Sequence, residues 1–190
     1  MSARCRVEGY AIVSADGMIA DADAVMPDVL KSKADQEFFE RELDRVDVVI
    51  HGRRSHEGQP HSPRRRRLVL TRRIAAIAPD LDNHSSLLWN PAGASFEEAC
   101  AALGLSGGVA AVIGGPEVYS LFLEIGYDSF HLSRSAKVAL PGGLPIFTQG
   151  RLGRSPDAVL RQYGLEPATE RTLDEANGVT VVCWRRKASA

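Results

Sequence analysis

Apolar and polar positions along the chain follow two different periods. Residues 7–13, VEGYAIV, form a compact apolar run that stops at the turn signal SADG, which predicts a strand. Over 33–45, KADQEFFERELDR, the apolar residues Ala34, Phe38, Phe39 and Leu43 recur at helical spacing with charges between them, which predicts a helix. Apolar runs at 47–52 (DVVIHG) and 66–71 (RRLVLT) predict short buried strands, and SLLWN at 86–90 predicts a weaker one. SFEEACAAL at 95–103 opens with Ser95 and carries Glu98 three residues on, the pattern of a capping box. A strand over 109–113 then runs into Gly114 and Gly115, and Pro116 starts a helix over 116–124. DSFHLSR at 128–134 reads as a strand and LPGGLPIF at 140–147 as a turn. The tail predicts an antiparallel hairpin about an EANG turn.

Strands that alternate with helices imply an α/β fold with a mostly parallel sheet covered on both faces. The C-terminal hairpin is expected to add an antiparallel edge. At 190 residues with 44% hydrophobic content, one domain over 1–190 can hold the core. A net charge of -1 excludes a globally basic nucleic-acid binder. Cys5, Cys100 and Cys183 are scattered and form no CxxC pair, so neither a disulfide framework nor a zinc site is expected. The five histidines have no paired-ligand spacing, so no metal is expected. The opening MSARCRVEGYAIV lacks the apolar stretch of a signal peptide, and no segment approaches the length of a membrane span. The expectation is a cytoplasmic protein without a membrane or nucleic-acid partner.

Ligands of open parallel sheets bind at the carboxyl ends of strands. Here three strands end in HGRRS, LTRR and IGGPE. Gly114 and Gly115 leave the main chain bare where a helix begins, and the free N–H groups and dipole there favour an anion. A lone Gly-Gly taken by itself reads first as a tight strand-to-helix turn with no ligand. Gly52 with Arg53, Arg54 and Ser55 repeats the arrangement. Eight arginines stand between 53 and 73 against the single acid Glu57, a local positive field suited to phosphate or, less well for want of aromatics, to RNA; the RRRR run taken alone reads as a solvated loop. Asp35 stands one turn before Phe38 and Phe39. It is either a carboxyl at an apolar pocket, suited to donate a proton, or a partner of Ser32 in a helix cap.

Taken in order, these segments resemble the dihydrofolate reductase superfamily, which includes the reductase domain of the riboflavin-biosynthesis deaminase-reductase. The resemblance spans nearly the whole chain. It rests on YAIVSADGMIA, VVIHGRRSHE, LVLTRR and above all VIGGPEVYSLFL, which is similar to the family's IGG-x-x-VY-x-x-FL segment. It implies a three-layer fold and bound NADPH. Gly52, Arg53, Arg54 and Ser55 would lie near the cofactor phosphates, and Thr71 and Arg72 at the 2′-phosphate end. Gly114, Gly115, Glu117, Val118 and Tyr119 would flank pyrophosphate and nicotinamide, with Ile19 and Ala20 near the nicotinamide.

The same resemblance gives Asp35 the catalytic or substrate-orienting role, Phe39 the face of the substrate ring, and Ser133 the support of the acid. Asp28 stands where dihydrofolate reductase has Trp after Met-Pro. LPGGLPIF, the tail and Asp47 look more like the riboflavin branch. The implied activity is NADPH-dependent reduction of a ribosylaminopyrimidine phosphate, with dihydrofolate reduction as the alternative and a non-catalytic nucleotide-binding protein as a rival from another class. A homodimer is expected by the same analogy.

Overall fold

The computed structural model describes residues 4–55 and 61–187. Its central strand, β1 (Arg6–Ser14), lies parallel between β7 (Val109–Val112) and β8 (Ser129–Ser135). Beyond β7 come β3 (Val48–Gly52), β4 (Arg67–Leu70) and β6 (Ser86–Trp89), all parallel, with the short antiparallel β5 (Ile77–Pro79) at that edge. Beyond β8 comes β12 (Val179–Arg186), antiparallel, which also pairs with β10 (Leu165–Pro167) and β11 (Arg171–Asp174). A separate pair, β2 (Met18–Ala20) and β9 (Leu144–Pro145), stands off the sheet.

The mostly parallel sheet and the terminal hairpin of β11 and β12 match the pattern-based expectation. The hairpin adds the expected antiparallel edge, with β11 outermost beside the short β10. Val179, Val181 and Trp184 are buried, and β12 is enclosed by β8 on one side and β10 on the other. The four strands β2, β5, β9 and β10 have three residues or fewer, too short to show a period.

Helices cover both faces. Helix α1 (Lys33–Leu43) lays Phe38 and Leu43 against Tyr10, Val49, Ala111 and Val181. On the other face α2 (Phe96–Ala102), α3 (Pro116–Ile125) and α4 (Pro156–Gln162) bring Phe96, Phe122 and Leu160 onto Ile50, Val112 and Trp184. The Ser95–Glu98 capping box closes in both directions, at 3.1 and 2.7 Å. Helix α3 is pinned to β1 by the Tyr119 hydroxyl, which donates to the Tyr10 carbonyl at 2.6 Å. Among the described residues no helix is long and apolar enough to cross a membrane.

The arginine run is not a uniform solvated loop. Approaching β4 it takes up the two-residue period, so Arg64 and Arg66 are exposed while Arg65 and Arg67 turn inward. Arg65 meets Asp44 at 2.5 Å and Arg67 bonds Ser62 Oγ at 2.6 Å.

Gly9 shows how tightly the centre is packed. A Cβ there would stand 2.2 Å from Phe130 Cδ2 and 2.9 Å from Tyr127 Cε1, inside the buried aromatic cluster. Gly9→Ala therefore lowers stability by about 1–3 kcal/mol, the range for an overpacked core. Urea denaturation checks this, and an unchanged midpoint would contradict it.

Candidate functional site

A cleft of about 430 Å³ opens where β1, β7 and β8 end beneath the start of α1. One wall is backbone. The Gly52 N–H at the end of β3 donates to the Gly114 carbonyl at 2.8 Å, which draws the ends of β3 and β7 together. A Cβ on Gly52 would meet Val118 Cγ2 at 3.4 Å, and one on Gly115 would meet Ser55 Oγ at 3.1 Å. Gly114 has φ +129°, where side chains are disfavoured. Gly115 then caps α3 and Pro116 occupies its first turn, so the positive end of that helix looks into the cleft. Arg54 and Ser55 complete this wall.

The facing wall is α1. Its cap is the Ser32 hydroxyl, which accepts the Asp35 N–H at 3.4 Å. The Asp35 carboxyl does not return that bond as a capping box would. It turns into the cleft and is hydrogen-bonded by Ser133, a buried residue. Burial raises the Asp35 pKa to about 6, and the Ser133 bond holds it back from rising further. Tyr119, also on the cleft, is fully buried, and desolvation, with Asp35 adding to it, pushes its phenol well above the ordinary range. Phe39 supplies an apolar face beside Asp35, and Ile19 and Ala20 on β2 form the lip.

The remaining expected positions lie elsewhere. Arg53 and Thr71 line a second hollow of about 520 Å³ on the outer part of the sheet, together with Arg73 and Ser86. Arg72 is exposed and lines neither cavity. Glu117 is exposed on the first turn of α3, 3.9 Å from Arg151. The Val118 side chain packs in the core because it belongs to the apolar face of α3, and its N–H is engaged by the Gly115 carbonyl at 2.9 Å. The short helix that Ser55 could cap, with His56 and Glu57, falls outside the described residues.

Three residues that pattern reading does not nominate complete the floor: Tyr10, Phe38 and His131. Tyr10 and His131 are cross-strand partners on β1 and β8, and their rings stack at 4.6 Å and 4°. The two-residue period would have flagged His131, since it shares a strand face with Ser133. The cleft can thus hold a planar ring between apolar walls, offer it a raised carboxyl, and present bare amides to an anionic ligand.

No protein-family model matches the chain, and no curated protein matches its sequence. Solved structures do match its shape. A protein provisionally assigned to riboflavin biosynthesis from Shewanella sp. PV-4 aligns with 20% identity and a TM-score of 0.65, over 96% of this chain and 99% of that one. A diaminohydroxyphosphoribosylaminopyrimidine deaminase/5-amino-6-(5-phosphoribosylamino)uracil reductase from Thermotoga maritima aligns with 15% identity and a TM-score of 0.68. That match covers 97% of this chain and 57% of the Thermotoga protein, so the chain spans little more than half its length. Dihydrofolate reductase from Enterococcus faecalis, complexed with NADP(H), aligns with 16% identity and a TM-score of 0.63, over 99% and 100% of the two chains. The chain has the dihydrofolate reductase-like α/β fold.

Proposed function

We propose that the protein is an NADPH-dependent reductase of the riboflavin-biosynthesis type, acting on a heterocycle that carries a phosphorylated ribosyl group. One observation carries this reading: Asp35, bonded to Ser133, shares a single cleft with the bare turn of Gly114 and Gly115. The cradle fits a dinucleotide, because a side chain at Gly115 would fill it against Ser55. Gly114, Gly115, Arg54 and Ser55 would hold the phosphates. Arg53, Thr71 and Arg72 would face the 2′-phosphate end, and Ile19, Ala20 and Tyr119 the nicotinamide. Bound there, NADPH supplies a hydride. Two relatives in shape, a deaminase/5-amino-6-(5-phosphoribosylamino)uracil reductase and a dihydrofolate reductase complexed with NADP(H), support the same class.

The chain's own part is positioning and proton supply. Phe39 packs on the substrate ring, which fixes its face toward the cofactor site and removes orientational freedom from the barrier. Ser133 holds the Asp35 carboxyl in place. With its raised pKa, Asp35 keeps a useful fraction of the protonated form near neutrality and can donate a proton as the substrate gains the hydride. Dihydrofolate reduction is the second reading, favoured by the Asp35–Phe39 spacing on α1. A non-catalytic nucleotide-binding role would leave Asp35 without work.

Loss of NADPH absorbance with a ribosylaminopyrimidine phosphate, and separately with dihydrofolate, tests the proposal. Turnover with the first supports it, turnover with dihydrofolate alone moves the assignment to that branch, and turnover with neither overturns it. Since the donor is the protonated acid, the chemical step falls about tenfold per pH unit above about 6. Asp35→Asn removes that dependence and lowers kcat by roughly 10²–10⁴, measured by rate–pH profiles of both proteins.

The same substitution should stabilise the fold. Burial penalises the ionised carboxyl in the folded state only, so the penalty is absent below the unfolded pKa of 3.8 and complete above about 6. Asp35→Asn is expected to raise stability at pH 8 by up to about 3 kcal/mol, read by thermal denaturation. A loss of stability would mean that the carboxyl is structural.

A further inference from the structure

A cleft that takes a phosphorylated cofactor and a phosphorylated substrate together needs cationic groups on both walls. Among the described residues two arginine or lysine side chains line it, Arg54 and Lys31. Arg54 stands on the glycine wall, where it serves the dinucleotide. Lys31 stands on the facing wall, beside the Ser32 cap of α1 and four residues before Asp35. Neither cofactor binding nor proton supply uses it. Asp28 is unused as well. It departs from the dihydrofolate reductase pattern and lines neither cavity.

The backbone holds Lys31 between two fixed points. Before it, a single 3-10 turn over Asp28–Leu30 closes with the Lys31 N–H donating to the Asp28 carbonyl at 3.0 Å. Leu30 anchors that turn in a buried cluster with Ile12 and Val179. After it, Ser32 caps α1. The side chain is less committed. Its ammonium donates to the Asp28 carboxylate at 2.8 Å, and the two side chains are 45% and 94% exposed. The bond from Lys31 holds the Asp28 carboxyl below its usual range, so Asp28 is ionised at neutral pH. An ion pair this open to solvent contributes little and exchanges partners readily. A phosphate monoester brings about two negative charges and several acceptor oxygens, so it competes well with one solvated carboxylate. Ser32 and Gln36 line the same stretch of the cleft and make it polar, which suits a ribosyl group between ring and phosphate.

We propose that Lys31 selects the phosphorylated substrate: its ammonium leaves Asp28 and pairs with the phosphate monoester on the ribosyl group, while the ring lies against Asp35 and Phe39. This rests on the reductase reading above. Lys31 is a specificity-determining residue and takes no part in the hydride or proton steps. Asp28 is its resting counter-ion. It competes with the phosphate for the ammonium, so its charge weakens binding of the phosphate.

The test reads selectivity, the ratio of kcat/KM for a ribosylaminopyrimidine phosphate to that for the same compound without its phosphate. Lys31→Met should lower this ratio by about tenfold, the effect of one charge-assisted hydrogen bond, and should do so through KM for the phosphate ester. Lys31→Arg should keep most of it. Asp28→Asn should raise it about two- to fivefold. Lys33→Met removes an exposed cation nearby that pairs with Glu37 at 3.7 Å and does not line the cleft, so it should leave the ratio unchanged. A second readout needs no turnover. In NMR titrations with ribose 5-phosphate as the probe, the Ser32 and Gln36 amide signals should shift in the wild type, about tenfold more weakly in Lys31→Met, and not at all with ribose. An unchanged ratio in Lys31→Met, an equal fall in Lys33→Met, or probe shifts that persist in Lys31→Met would overturn the assignment. If the wild-type protein turns over the phosphate ester, those results leave the reductase reading intact. Wild-type protein without any turnover overturns that reading, and the probe then decides for Lys31: binding lost in Lys31→Met supports the phosphate site, and binding absent or unaffected overturns it.

Discussion

The end of β3 is tied to the turn after β7 by a main-chain hydrogen bond between two glycines. Gly52 donates to Gly114 at 2.8 Å, and this contact brings the start of α3 beside Ser55 and Arg54. Every feature of the cleft hangs on that join. It sets the positive helix end toward the cavity, it places Tyr119 under the Tyr10 carbonyl, and it leaves a strip of bare main chain that an anionic ligand can approach. Gly114 meets the demand of its positive φ, and only at Gly115 would a Cβ crowd the strip, 3.1 Å from Ser55 Oγ.

The opposite wall is governed by a balance between solvation and hydrogen bonding. Burial alone would drive the Asp35 carboxyl toward the neutral acid, and the Ser133 hydroxyl partly restores the charged form. The result lies near neutrality, where an acid can both hold and release a proton. A group whose ionised form weakens the fold is typical of positions kept for chemistry rather than for stability. Beside it, the stacked pair of Tyr10 and His131 replaces a purely apolar floor with one that can itself take up a proton.

Much of this was legible in the chain. The continuous apolar runs marked β1, β3, β4, β7 and β8, the spacing of Phe38 and Leu43 marked α1, and Ser95 with Glu98 marked the start of α2. Asp35, Ser133, Gly114 and Gly115 were all nominated, and they line one cleft. What the sequence hid is explained by length and by pairing. Helix α4 has seven residues, and its Ser155-Pro156 start was not recognised among turn signals. The burial of Arg65 and Arg67 depends on Asp44 and Ser62, partners that no local pattern reveals. His131 was weighed only as a metal ligand and set aside for want of paired spacing, and its stacking partner Tyr10, 121 residues away in sequence, becomes a neighbour only through the pairing of β1 with β8. The separation of Arg53 and Thr71 from the main cleft is likewise a matter of which sheet face each side chain takes.

The account's central claim is that the bare join of β3 and β7 holds a phosphorylated dinucleotide. Gly115 offers a direct probe, since its φ of -80° is open to any residue and a side chain there intrudes only on the cradle. Calorimetric titration of NADPH into the wild-type protein and into Gly115→Val is the most direct measurement. The account predicts saturable binding by the wild type and at least tenfold weaker binding by the variant, with matching circular dichroism spectra. Equal affinity in both proteins, or no heat of binding in the folded wild type, would contradict it.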